Sequence, residues 1–195
     1  MKSKLALIKN NLKQYKGILV FALVLAVSNL IWKFIIQGDE SMSIQSKITC
    51  WGADVSAPFN FAAVHIAQLV KSVLNALGWQ ISIDASNTIR HVNGHGTQII
   101  WACTGIKQAY IFICIMFFSQ GEWKRKMVYI LFGLICVYCF NLFRISFIMV
   151  CVEHHKDWFS ILHEYIFKYL FYAFIFLMWM VWEENVGGVR EKKYE

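Results

Sequence analysis

The chain has 195 residues, 58% of them hydrophobic and only 16% charged. A soluble domain of this size needs more charge on its surface, and here the apolar residues come in unbroken runs, so the composition excludes an ordinary soluble fold. The net charge of +7 does not point to nucleic acid, because the basic residues sit beside the apolar runs in the positive-inside pattern.

Lys2, Lys4, Lys9, Lys13 and Lys16, with no acid among them, predict a cytoplasmic start. Residues 17–36 are long and apolar enough for a first span, with Lys33 near its far end to snorkel. The run lacks a small-residue cleavage site and reads as an anchor, not a cleaved leader. Asp39 and Glu40 then mark emergence on the outer side.

Residues 58–79 place His65, Gln68, Ser72 and Asn75 three or four apart, which predicts one polar face of an amphipathic helix. If this helix crossed, the cluster Lys124-Arg125-Lys126 would lie outside, against the charge rule. The expected placement is therefore an interfacial or shallow helix that stays on the outer side. Residues 80–98 alternate in part and contain Asn93-Gly94-His95-Gly96, predicting a short β-hairpin. Three further spans follow, at 99–118, 127–152 and 164–182, with an outer loop at 153–162. In the tail Gly187-Gly188 is expected to unwind the last helix.

The expected architecture is an all-α integral membrane protein. It has about four transmembrane helices, an outer-face amphipathic helix and a short β-hairpin in one membrane domain over 1–195. Both termini are expected on the cytoplasmic side of the inner (cytoplasmic) membrane.

Three reactive groups occupy unusual places in this scheme. Cys103 follows Ala102 and precedes Thr104-Gly105, small residues that leave room beside a thiol. Arg144 lies inside an apolar run, where an arginine costs about 2.5–3.5 kcal/mol and is a functional hypothesis by default. His163 stands at the head of the last span. Counting about 1.5 Å per helical residue puts Cys103 roughly 6 Å and Arg144 about 12 Å below the outer ends of their spans, so all three approach the outer face. The thiolate is a nucleophile, His163 can take and return its proton, and Arg144 can stabilise a thiolate or an oxyanion. Asn141, one turn before Arg144, is placed to hydrogen-bond it or a substrate backbone. Snorkelling of Arg144 and a base at His154 or His155 are the competing assignments. The other cysteines, at 50, 114, 136, 139 and 151, form no disulfide framework, since most lie inside apolar runs. His91 and His95 are four apart but lack partner ligands, and no metal or other cofactor is expected.

At these residues the chain resembles the exosortase/archaeosortase family of membrane cysteine transpeptidases, in its compact form, over residues 58–182. The resemblance is carried by Leu74-Asn75-Ala76-Leu77-Gly78 and the polar hairpin. Ala102-Cys103-Thr104-Gly105-Ile106, Asn141-Leu142-Phe143-Arg144-Ile145 and His163 follow in the family's order. It implies that Cys103, Arg144 and His163 are catalytic, with Asn141 and Thr104 binding or orienting the substrate. Thr104 replaces the usual serine, and no glycine follows His163 closely. The resemblance also implies the partner: an exported protein ending in a short motif, a transmembrane helix and a basic tail. It would be cleaved at the outer face and passed to an acceptor that the sequence does not name. Two other readings stand beside this one. Cys136-x-x-Cys139 suits a quinone-linked thiol-disulfide oxidoreductase, although it lies about halfway along its span. A non-catalytic subunit of envelope polysaccharide assembly is the other.

Overall fold

The computed structural model describes residues 2–38, 47–84, 86–91, 96–154 and 157–191. Asp39, Glu40, the turn residues 93–95, His155, Lys192 and Lys193 lie outside them, as does the side chain of His154.

Helix α1 (Lys2–Ile35) is predominantly apolar over residues 16–35, the part long and apolar enough to cross a membrane. The chain then enters a sheet that the hydropathy pattern did not announce. Strands β1 (Ile36–Gly38), β2 (Ile48–Cys50) and β3 (Ala53–Asp54) pair antiparallel in that order. The β2–β3 turn holds Trp51 at φ 49° and Gly52 at φ 84°, the positive-φ pair that suits a two-residue hairpin. Helix α2 (Ser56–Ala76) starts where the Ser56 amide and hydroxyl donate to the Asp54 carboxylate. Those bonds hold the Asp54 carboxyl below its ordinary range. Just past the C-cap of α2 at Leu77 stands Gly78, whose φ of 94° is the left-handed stop that glycine supplies without strain. Ala63, Ile66, Ala67, Val70 and Leu74 form its buried face, while His65 and Gln68 are exposed. With 21 residues α2 is long enough to span, yet it is not among the helices apolar enough to do so.

The expected hairpin is a three-stranded antiparallel sheet: β4 (Ile81–Asp84), β5 (Thr88–His91) and β6 (Gly96–Gln98). The largest correction falls just beyond it. The span expected over 99–118 becomes helical only at Ile106, because Gly105 adopts φ 79° and a left-handed residue breaks the helical ladder. Before it, Trp101–Cys103 make a single 3₁₀ turn. Helix α3 (Ile106–Phe118) has 13 residues, so it is only about 20 Å long.

Helix α4 (Trp123–His154) contains a candidate span, and a second runs over Trp158–Asn185. The latter begins as one α-turn, α5 (Trp158–Ser160). It continues through a π-helical stretch, Ile161–Ile166, and becomes α6 (Phe167–Glu191). Two expectations change here. Among the described residues of the stretch expected as an outer loop, 153–154 and 158–162 are helical, and Gly187-Gly188 do not unwind α6. Each glycine weakens a helix by about 1 kcal/mol without breaking it.

Three candidate spans and the shorter apolar α3 thus form an all-α membrane bundle with two small sheets. In lipid, helices associate by close packing and polar ties more than by hydrophobic drive. Both are present. Phe112, Phe171, Ile175 and Ile111 are fully buried at the centre, and Gly133 packs so closely on the Phe112 ring that a Cβ there would collide with it. The Tyr172 hydroxyl donates to Asn29 Oδ1 at 3.0 Å, and that of Tyr129 to the Met178 carbonyl at 2.7 Å. At one end Lys126 Nζ donates to the Ser119 carbonyl and Trp182 Nε1 to the Gln120 carbonyl.

Candidate active site

The segment between β6 and α3 is fixed by side chains from elsewhere. Asn87 donates from Nδ2 to the Ile99 carbonyl at 3.0 Å, and the Ile99 amide donates to the Asn87 carbonyl at 2.9 Å. The 3₁₀ turn is closed by the Cys103 amide on the Ile100 carbonyl and by the Thr104 hydroxyl on the Trp101 carbonyl, at 2.9 and 2.7 Å. Asn141 Nδ2 reaches across from α4 to the Cys103 carbonyl at 2.9 Å. A carbonyl only accepts, so the amide nitrogen must face it. Gly105 makes this approach possible, because a Cβ there would lie 3.0 Å from Asn141 Cγ.

Cys103 is thereby presented to α4 and to the last helix. Its Sγ lies 3.4 Å from His163 Nε2, and the same nitrogen lies 3.2 Å from Arg144 Nη2. His163 sits within the π-helical stretch, a form of helix frequent at functional sites. Its ring stacks on Phe159 at 5.3 Å with the planes 8° apart. Cys103 and Arg144 are buried, at 8% and 5% exposure, and Asn141 at 1%. The apolar face of α2, with Ile81, Ile89 and Ile99, packs behind them together with Ile145 and Met149.

The structure therefore brings together the three side chains singled out from sequence, and Asn141 and Thr104 flank them. Asn141 holds the backbone of Cys103, a contact that the sequence reading did not name. Phe159 and Gly105 were missed as participants, and His91 was set aside. His91 is 3% exposed, with Nε2 3.0 Å from the Met149 carbonyl and Nδ1 3.4 Å from Glu153, so it ties β5 to the end of α4. A pairing 58 residues apart leaves no local signal. Among the described residues no three His, Cys, Asp or Glu side chains gather as metal ligands. Cys136 and Cys139 are free thiols.

Comparison with known proteins identifies the family. No curated protein and no solved structure matches the chain. The model of the transmembrane exosortases matches residues 50–182, from β2 to near the end of the last candidate span. That stretch holds Cys103, Asn141, Arg144 and His163 and covers well over half of the sequence, and the chain accordingly belongs to the transmembrane exosortase family.

Proposed function

We propose that this membrane exosortase is a cysteine transpeptidase or peptidase that cleaves the C-terminal sorting signals of exported proteins at the outer face of the cytoplasmic membrane. The observation that carries the reading is the convergence of the Cys103 thiol and the Arg144 guanidinium on one nitrogen of His163.

The chemistry follows from hydrogen-bonding roles. A guanidinium only donates, so Nε2 accepts from Arg144 and the neutral ring carries its proton on Nδ1. Nε2 therefore offers a lone pair and no N–H, and the thiol proton competes with Arg144 for it. Once Nε2 is protonated it no longer accepts from Arg144, whose Nη2 is released toward the new negative charge on sulfur. The thiolate attacks the scissile carbonyl, and the negative charge moves to the carbonyl oxygen beside Arg144. His163 returns the proton to the leaving amine, and the acyl group remains on Cys103 as a thioester. An incoming amine, hydroxyl or water then gives a proton to Nε2, attacks the thioester and regenerates the thiol. Phe159 holds the imidazole plane, Asn141 holds the Cys103 carbonyl, and Thr104 orients the turn.

The substrate in this reading is an exported protein with a C-terminal motif, a transmembrane helix and a basic tail. Both termini of the enzyme and the segment 119–126 face the cytoplasm. The test is processing of the matched substrate in membranes, read by gel shift. Cys103→Ala and His163→Ala abolish it while the proteins accumulate normally. Processing by Cys103→Ala at the wild-type rate overturns the mechanism. Maleimide labelling from the outside of a cysteine placed at Ser119, in an otherwise cysteine-free protein, overturns the orientation.

A further inference from the structure

Two buried polar atoms at the site have no hydrogen-bond partner: Arg144 Nε and Asn141 Oδ1. Both residues are more than nine-tenths buried, and each already uses another atom inside the protein, Arg144 Nη2 on His163 and Asn141 Nδ2 on the Cys103 carbonyl. An orphaned buried donor or acceptor costs about 1–3 kcal/mol, so two of them beside a nucleophile suggest partners that arrive from outside. The two atoms are also complementary, since Nε–H can only donate and Oδ1 can only accept.

Asn141 and Arg144 are three residues apart on α4, so their side chains emerge on the same face about 5–6 Å apart. In an extended peptide the N–H and C=O of a single residue point to the same side, as they do when a residue exchanges both bonds with a neighbouring strand. We propose that Arg144 Nε and Asn141 Oδ1 bind the C=O and N–H of one residue of an extended substrate chain, next to the bond that Cys103 attacks. The ligand is a peptide backbone and not a side chain, so this position of the substrate is read by shape and register. The inference rests on the cysteine-peptidase reading and adds the contact that sets which bond lies over the thiol.

The test uses peptides spanning the cleavage point, each with one backbone amide N-methylated, and measures their binding to full-length Cys103→Ala protein in detergent. One position should lose about tenfold in affinity on N-methylation, the effect of one hydrogen bond to a buried partner, while alanine at that residue changes little. The penalty should vanish in the Cys103→Ala/Asn141→Leu protein and persist in Cys103→Ala/Asn141→Asp, which keeps the acceptor. Binding that tolerates N-methylation everywhere, or a penalty that Asn141→Leu leaves unchanged, overturns the proposal. Such a result leaves the cysteine mechanism standing, because that mechanism is judged separately by loss of processing in Cys103→Ala.

Discussion

Gly105→Ala adds a single methyl group, and two consequences follow from its position. At φ 79° an L-residue pays roughly 1–2 kcal/mol for the left-handed conformation. The new carbon would also lie 3.0 Å from Asn141 Cγ and 3.1 Å from Nδ2, tighter than ordinary contact. Asn141 is 1% exposed and has nowhere to retreat without leaving the Cys103 carbonyl. Losing that bond and stranding a buried carbonyl adds about 1–3 kcal/mol. Together they weigh about 3 kcal/mol against the geometry that presents the thiol, on the order of a hundredfold in rate. Most of the bundle core lies on other elements, so the protein should still fold. The assay pairs processing in membranes with maleimide labelling of Cys103 in protein whose other five cysteines are replaced, and with thermal unfolding in detergent. Near-normal processing by a well-folded Gly105→Ala protein would refute the idea that the Asn141–Gly105 contact positions the nucleophile.

Three further outcomes are expected. Arg144→Lys should lower processing about 10²–10³-fold at normal expression, because a lysine point charge does not reproduce the planar fork; near-normal turnover would make the arginine structural. Replacing both Cys136 and Cys139 with alanine should leave processing largely intact, whereas a loss comparable to that of Cys103→Ala would favour thiol-disulfide chemistry. His91→Ala should lower stability by about 2 kcal/mol, through a cavity and the lost tie from β5 to Met149 and Glu153; an unchanged melting temperature in detergent would count against the tie.

The parts of this fold that could be read from sequence are those that one dimension records. Residues 17–36 and 127–152 are long uniform runs; all of the first but Ile36 lies in α1, and the second lies within α4. Arg144 stood out because a charge inside such a run is costly, and Cys103 because of its small neighbours. The first sheet escaped notice because its strands are two or three residues long, too short for an alternation to register. The break at Gly105 was lost for the opposite reason. A window wide enough to find a span averages over one left-handed residue, and residues 99–118 are apolar whether or not the helix is continuous.

That break also undoes the depth estimate for Cys103, which assumed a helical rise from Ile99, although the three groups meet. Non-helical backbone is tolerated at membrane depth only where protein buries it and supplies its hydrogen bonds. Protein packs around this segment and supplies hydrogen bonds to four of its carbonyls. Ile99, Trp101 and Cys103 are buried, and the Ile99 carbonyl takes Asn87 Nδ2. The Ile100 carbonyl takes the Cys103 amide, that of Trp101 takes the Thr104 amide and hydroxyl, and that of Cys103 takes Asn141 Nδ2. Asn87, Thr104 and Asn141 do the work that an unbroken helix does for itself. In return the chain carries its thiol on a turn, free of the direction a helix imposes, where α4 and the last helix can both reach it. The polar residues around Cys103 are therefore needed for the break as well as for the chemistry, and a helix continuous through Gly105 would leave the Cys103 carbonyl with no need of Asn141.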